Sequence, residues 1–254
     1  MILDDFSLAG QVALVTGAGR GLGQGYAIGL AEAGADVALL DRSSCDETAA
    51  QIRDLGKRAV CIQADLSQTT PAQADKLVGS VVAELGQLDI LVNNAGIIRR
   101  QPAVDHSQEN WKDVLAINLD AVFYLSQAAG RVMLPRGHGK IINVASMLSY
   151  QGGILVPSYT AAKHAVAGIT KALANEWAAQ GVNVNAIAPG YMATDNTAPI
   201  RADAAREASI SDRIPAARWG KAADLAGTVV FLASAASDYV HGAIIPVDGG
   251  WLTR

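Results

Sequence analysis

A glycine-rich turn between a strand and a helix constrains the fold of this chain more than any other feature. Residues 11–16 form a short apolar run of strand character. They lead into the turn Gly17–Gly23, and a helix-like segment follows to about Ala33, where Gly34 supplies a stop. Glycines let the backbone approach a phosphate group, and the first N–H groups of a helix are free to bind it. The pattern therefore predicts a nucleotide-binding strand–turn–helix unit.

An acidic residue strengthens that prediction. The second apolar run ends at Asp41, close to the distance of about 20 residues from Gly23 at which a carboxylate accepts the ribose hydroxyls of a dinucleotide. The same carboxylate would repel the 2′-phosphate of NADP, which favours NAD. Arg20 and Arg42 lie nearby and could instead clamp that phosphate. We therefore expect NAD, with NADP as the open alternative.

Strands and helices alternate beyond this unit. Helical patterns at 45–55 and 72–85 separate apolar runs at 59–63 and 88–92. Asp65 follows the third run, where its carboxylate can cap the next helix or bind an adenine edge. Such alternation predicts an α/β fold, with a Rossmann-type doubly wound parallel sheet flanked by helices. Since the 254 residues contain no linker, repeat or low-complexity segment, we expect one domain over residues 1–254.

Composition excludes several classes of protein. Half of the residues are hydrophobic and 17% are charged, which argues against disorder. The net charge of −4 and the lack of a basic tract argue against nucleic-acid binding. No apolar run is long enough to cross a membrane and no signal peptide begins the chain, so a cytoplasmic protein is expected. The histidines show no ligand spacing, which predicts no metal site, and Cys61 is expected in the core.

The stretch from Ser146 to Lys163 carries the candidate chemistry. Ser146 follows an apolar run at 141–145, so its hydroxyl is expected at the carboxyl end of a strand. Tyr159 and Lys163 are four residues apart in a helix-favouring context, which places them on one face of a helix. An ammonium near a phenol lowers the phenol pKa from its reference of about 10 and suits it to proton exchange. Taken alone, the pair is also typical of a surface tyrosine covered by a lysine stem.

Several motifs occur together and in order. They are Thr16-Gly17-x-x-x-Gly21-x-Gly23, Asn93-Asn94-Ala95-Gly96, Asn118, Ser146, Tyr159-x-x-x-Lys163 and Pro189-Gly190. This set resembles the short-chain dehydrogenases/reductases over essentially the whole chain. The resemblance implies an oxidoreductase that moves hydride between a nicotinamide and a carbinol carbon. It also implies a homotetramer and a substrate lid at about 192–215.

The resemblance assigns roles to individual residues. Tyr159 is expected to be the general acid/base, and Ser146 is expected to orient the substrate oxygen. Lys163 is expected to lower the tyrosine pKa and to hold the nicotinamide ribose. Asn118 is expected to anchor a proton relay. A buried amide satisfied by backbone groups would explain Asn118 equally well. The expected cofactor-binding residues are Gly17, Arg20, Gly21, Leu22, Gly23, Asp41, Asp65, Leu66, Asn93, Ala95, Gly96, Tyr159, Lys163, Pro189, Gly190, Met192 and Thr194.

The substrate is expected to be a small sugar acid. Arg99 and Arg100 follow the Asn-Asn-Ala-Gly turn, and an arginine fork matches the two oxygens of a carboxylate. Arginines that are simply exposed, or that pair with Asp105 and Glu109, would give the same pattern. Gln151 can bind sugar hydroxyls, and Ser146 and Tyr159 complete the expected substrate contacts. The chain also resembles a branch of the family that acts on six-carbon deoxy-sugar acids. The alternatives are an unsaturated-uronate keto-acid, a 3-oxoacyl thioester, a polyol, or a non-catalytic protein that senses NAD(P).

Overall fold

One parallel sheet organises the molecule. The computed structural model describes all residues, Met1–Arg254. The strands are β1 Val12–Thr16, β2 Asp36–Asp41, β3 Ala59–Gln63, β4 Ile90–Asn93, β5 Gly139–Val144, β6 Val182–Pro189 and β7 Ile244–Val247. Their order across the sheet is β3-β2-β1-β4-β5-β6-β7, and every neighbouring pair is parallel. The strand order reverses between β1 and β4, so the predicted doubly wound Rossmann-type sheet is confirmed.

Helices cover both faces of the sheet. They are α1 Gly21–Glu32, α2 Asp46–Asp54, α3 Pro71–Leu85, α4 Gln108–Leu115, α5 Ala121–Met133, α6 Pro157–Trp177, α7 Ala198–Arg201, α8 Ala204–Ser211 and α9 Ala223–Ala233. A π-helical turn, Ala116–Asp120, joins α4 to α5. The sequence signals explain boundaries such as those of α3, where Thr70 and Gln73 form a capping box and Gly86 ends the helix with φ +94°. None of the helices is long and apolar enough to cross a bilayer.

The apolar core consists of two layers, one on each face of the sheet. On one face Tyr26 of α1 and Val229 of α9 pack against Val15. On the other, Val81 of α3 and Leu125 of α5 belong to a separate cluster that includes inner-strand residues. Every residue of β1 is buried, because helices cover this strand on both sides. This double cover explains why the inner strands are continuous apolar runs in the sequence.

The sheet edges account for two further observations. Pro246 predicts an edge position for the last strand, and β7 does lie at the edge, paired only with β6. The core prediction for Cys61 is wrong, because this thiol is exposed while Cys45 is buried. Cys61 lies on β3, the opposite edge strand, where burial alternates along the strand instead of being continuous. A short apolar run alone does not distinguish a central strand from an edge strand.

Candidate active site

A cleft of about 680 Å³ opens at the carboxyl edge of the sheet. The loops after β1 to β6 all line it, because parallel strands all end at this edge. It contains most of the residues that the sequence nominates. From the predicted sets, Gly17, Arg20, Gly21, Leu22, Gly23, Asp41, Asp65, Leu66, Ala95, Gly96, Arg100, Ser146, Gln151, Tyr159, Lys163, Pro189, Gly190, Met192 and Thr194 line the cleft.

The glycine-rich turn has the geometry that a phosphate group requires. Gly17 and Gly21 adopt φ values of +65° and +62°, which favour glycine. A Cβ atom on Gly23 would lie 1.9 Å from the Gly17 carbonyl oxygen, so only glycine lets α1 begin this close to β1. The first N–H groups of α1 have no partner within the helix and face an anion-binding position. These residues fit the pyrophosphate of a dinucleotide.

Asp41 and Asp65 line the cleft, where the sequence predicts contacts with the adenosine half of a dinucleotide. The Asp41 carboxylate accepts hydrogen bonds from the Gly19 N–H at 3.0 Å and from the Ser43 N–H at 3.0 Å. Burial opposes ionisation of this group, but the donors at Ser43 and Gly19 outweigh burial and hold the pKa of Asp41 below its usual value. Asp65 caps a short helical turn by accepting from the Ser67 N–H at 2.9 Å. Both carboxylates are therefore charged at neutral pH.

The side chain of Asn93, a predicted cofactor-binding residue, lies outside the cleft, and its role stays a prediction. Its side chain is buried, and Nδ2 donates to Ser126 Oγ at 3.0 Å and to Asn143 Oδ1 at 2.9 Å. The neighbouring Asn94 lines the cleft instead, and its Nδ2 donates to the Thr16 carbonyl oxygen at 2.8 Å. Successive side chains at a strand end point to opposite sides, so adjacent asparagines serve different purposes. Asn93 ties β4 to β5, whereas Asn94 holds the glycine-rich turn.

Ser146, Tyr159 and Lys163 come together beside the end of β5. Ser146 lies directly beyond the strand, and its Oγ accepts from the Leu148 N–H at 3.1 Å. Tyr159 and Lys163 lie one turn apart on α6, with the lysine Nζ 5.5 Å from the centre of the phenol ring. The predicted spacing thus produces the predicted proximity.

The lysine is a buried cation with a specific partner. Only 3% of Lys163 is exposed, and its Nζ donates to the Val144 carbonyl oxygen at 2.6 Å. Burial lowers the pKa of Lys163 to about 8, because the interior disfavours an ammonium. The carbonyl of its own residue accepts from Ser149 Oγ at 2.7 Å, which joins α6 to the loop after β5.

The pKa of Tyr159 is raised, whereas the helical spacing of Tyr159 and Lys163 predicts a lowered pKa. Burial raises the pKa of Tyr159, while the Ser146 hydroxyl and the Arg100 guanidinium act in the opposite direction. The Lys163 ammonium is directed at the Val144 carbonyl oxygen rather than at the phenol oxygen. The phenol is therefore held in its neutral form more firmly than the spacing of Tyr159 and Lys163 predicts.

Asn118 lies behind the cleft, in the π-helical turn. It is fully buried, its Oδ1 accepts from the Ile97 N–H at 2.9 Å, and its Nδ2 donates to the Ile97 carbonyl oxygen at 3.2 Å. The amide therefore fixes the loop after β4. Single π turns of this kind occur frequently at functional sites.

The two neighbouring arginines separate, which corrects the prediction of a paired fork. Arg99 lies outside the cleft and pairs with Asp113 of α4 at 3.4 Å. Arg100 lines the cleft and donates to the Asn196 carbonyl oxygen at 3.3 Å. Both arginines are exposed, as the alternative interpretation allows, although neither pairs with Asp105 or Glu109. Only Arg100 is placed to meet a ligand.

The segment after β6 lies along the same cleft. Met192 forms an isolated bridge with Gly220, and a helical turn at Asp195–Thr197 leads into α7 and α8. The Arg20 guanidinium pairs with the Asp195 carboxylate at 3.0 Å, which joins this segment to the glycine-rich turn.

Sequence reasoning missed the residues at the far end of the cleft. Arg206, Arg213, Tyr191 and Trp251 all line it. The Arg213 guanidinium lies 4.0 Å from the centre of the Trp251 ring. In the sequence these arginines look like any other charges in a polar segment. Trp251, which lies against Arg213, is far from it along the chain. Only the fold brings them together.

Known proteins share this architecture. A family model described as short chain dehydrogenase matches residues 11–205. The chain is similar to a 2-dehydro-3-deoxy-D-gluconate 5-dehydrogenase from Dickeya dadantii, with 57% identity over 100% of both chains. It is similar to a protein of the same name from Bacillus subtilis, with 58% identity over 99% of this chain and 98% of the other. A crystal structure from Agrobacterium tumefaciens, assigned to a 2-deoxy-D-gluconate 3-dehydrogenase and containing NADP, has a TM-score of 0.92 and 54% identity over 99% of this chain and 100% of that chain.

The buried lysine predicts a specific dependence of stability on pH. The unfolded side chain has a pKa of about 10.4, while the folded value is about 8. Between these values the unfolded state binds more protons, so the free energy of unfolding rises with pH, by at most about 1.4 kcal/mol per pH unit. We expect the parent protein to gain stability relative to Lys163→Met between pH 7.5 and pH 9.5, measured by urea unfolding.

Lys171→Met is the matched control, because Lys171 is an exposed lysine of the same helix. Its free energy of unfolding should rise between pH 7.5 and pH 9.5 as much as that of the parent protein. If the free energy of unfolding changed with pH identically in the parent and in Lys163→Met, Lys163 would not have a lowered pKa in the folded protein.

Proposed function

The chain belongs to the short-chain dehydrogenase family, and from this premise we propose that it acts as a 2-dehydro-3-deoxy-D-gluconate 5-dehydrogenase. It is an NAD(P)-dependent oxidoreductase that acts on a hydroxyl group. The proposed reaction interconverts a hydroxyl and a keto group on a six-carbon deoxy-keto-sugar acid. The observation that carries the proposal is the placement of Tyr159 between Ser146 and Lys163 in a cleft that also holds a nucleotide turn. The relatives of that name, at 57% and 58% identity over nearly full length, support the substrate class.

The chemistry divides between the cofactor and the chain. When bound, the nicotinamide dinucleotide supplies or accepts the hydride. Tyr159 takes the proton of the substrate hydroxyl during oxidation and returns a proton to the carbonyl oxygen during reduction. Ser146 donates a hydrogen bond to the same oxygen; before substrate binds, the same hydroxyl proton is directed at Tyr159 and favours its phenolate. Lys163 places a positive charge near the phenol and binds the nicotinamide ribose, and Asn118 anchors a proton relay from the lysine.

The segment at about 192–215 is proposed as a substrate lid. It lines the cleft through Thr194, Asp195 and Ile210, and its contact with the glycine-rich turn is the exposed Arg20–Asp195 ion pair. An exposed pair of this kind contributes about 0–1 kcal/mol, so it can open and close readily. Closure excludes water from the reacting carbon.

We also propose a homotetramer located in the cytoplasm. Trp111 of α4 and Phe123 of α5 expose 40% and 37% of their surface, and apolar side chains of this size suit a subunit contact. The free thiols of Cys45 and Cys61 suit a reducing compartment.

A substrate panel tests the proposed function. NADH oxidation should be fastest with the 2,5-diketo-3-deoxy acid, and slower with a gluconate-type 5-keto acid, an unsaturated-uronate keto-acid and a 3-oxoacyl thioester. The physical reason is the placement of a polar, arginine-containing cleft beside Tyr159, which suits a short anion. Turnover of the thioester above all sugar acids would contradict the proposal. Tight NADH binding without turnover of any substrate would instead support a nucleotide sensor.

The charge of Asp41 predicts the cofactor preference. An ionised carboxylate at the ribose position repels the 2′-phosphate of NADP, whereas Arg20 and Arg42 in the same part of the cleft attract it. We expect Asp41→Asn to lower the ratio of kcat/KM for NADH to kcat/KM for NADPH by about tenfold or more, since tenfold corresponds to only about 1.4 kcal/mol. Steady-state kinetics with both dinucleotides measures the ratio.

Asp46→Asn is the control, because this exposed carboxylate begins α2 close to Asp41 but does not line the cleft. Its ratio should match the parent. An unchanged ratio in Asp41→Asn would show that the carboxylate does not select the dinucleotide.

A further inference from the structure

We propose that Arg206 and Arg213 bind the carboxylate of the substrate, together with Arg100 from the loop after β4. This inference rests on the proposed function, in which the substrate is a sugar acid. The sequence suggests that the neighbouring Arg99 and Arg100 bind the carboxylate. The proposed site keeps Arg100 but is built largely from the segment after β6.

The three arginines converge on one part of the cleft although they come from separate stretches of the chain. All of them line the cleft. Burial raises the pKa of the Tyr191 phenol, and the charges of Arg206, Arg213 and Arg100 act against that rise. Arg213 lies against Trp251, which in turn contacts Tyr191, and the three cations line the same cleft, so this part of it attracts an anion.

Their donors are also free, in contrast to other arginines of the molecule. Arg20 pairs with Asp195, Arg99 pairs with Asp113, and Arg218 pairs with Asp224. Arg206 and Arg213 form no ion pair, and their guanidinium groups have no hydrogen-bond acceptor in the protein. Arg100 reaches only the Asn196 carbonyl oxygen, at 3.3 Å. A guanidinium with unused donors in a cleft matches the two oxygens of a carboxylate.

Arg213 is held in place before any ligand binds. Its guanidinium lies 4.0 Å from the centre of the Trp251 ring, and only 4% of Trp251 is exposed. The tryptophan packs in turn against Tyr191, with ring centres 4.7 Å apart. Stacking on an aromatic face leaves the in-plane N–H groups of the arginine available and reduces the entropy lost on binding.

The backbone that carries these arginines is anchored close to the reacting groups. Ile210 and Ile214 flank the end of α8 and are buried in a cluster with Trp251 and Met147. Met147 directly follows Ser146, so the cluster lies next to one of the proton-transfer residues. A six-carbon acid can therefore place its reacting carbon near Tyr159 and its carboxylate near the arginines.

The test compares the sugar acid with its neutral C1 carboxamide. We expect Arg213→Gln to lower kcat/KM for the acid about 10- to 100-fold, because hydrogen bonds to charged groups have this strength. The loss should appear in KM with kcat preserved, and kcat/KM for the amide and KM for NADH should stay within about twofold of the parent. Arg206→Gln should change the acid-to-amide ratio in the same direction. Arg213→Lys, which keeps the charge but loses the fork, should give an intermediate ratio.

Lys76→Gln serves as the charge control, because this exposed lysine of α3 lies outside the cleft, and its acid-to-amide ratio should equal that of the parent. Equal losses for acid and amide in both arginine variants would overturn the inference, since they would indicate a general role in shaping the segment. A different result would contradict the proposed function itself, namely that the parent protein turns over no sugar acid with either dinucleotide.

Discussion

The hydrogen bond from the buried Lys163 ammonium to the Val144 carbonyl oxygen determines the arrangement of the site. A buried ammonium is stable only with a well-placed acceptor, and the last carbonyl of β5 supplies it at 2.6 Å. The requirement draws α6 against the end of the strand. Tyr159 lies one turn earlier on the same helix, so its phenol is placed beside Ser146 as a consequence. A second buried contact, from Asn143 Nδ2 to Thr170 Oγ1 at 3.0 Å, ties α6 to β5 further along.

Charged groups of both signs line the cleft. Asp41 and Asp65 carry negative charge held by backbone N–H groups, and Arg20 and Arg42 line the cleft with them. Arg206 and Arg213 also line the cleft and have no acidic partner. A protein with a net charge of −4 thus keeps unpaired positive charge where we propose that an anionic substrate binds.

The fold could be predicted from the sequence because its strongest signals are local. Inner strands covered on both faces become apolar runs, and a strand–turn–helix unit needs glycine at fixed positions. The site could be predicted only where backbone periodicity fixes the geometry, as for Tyr159 and Lys163. The sequence does not show that the side chains of Asn93 and Arg99 lie outside the cleft, because neighbouring residues point in different directions and only the fold decides which of them faces a ligand. Arg213 could not be predicted, because its position depends on Trp251, which only tertiary packing brings beneath it.

The proposed reaction depends on the phenol of Tyr159, which would carry the proton between substrate and protein. The most direct measurement is turnover of the sugar acid by Tyr159→Phe, with NADH binding followed by fluorescence. Tyr124→Phe is the matched control, since it removes a hydroxyl outside the cleft. The account predicts that Tyr159→Phe loses about 10²- to 10⁴-fold in kcat while its Kd for NADH is unchanged. Turnover by Tyr159→Phe at the rate of the parent protein would contradict it.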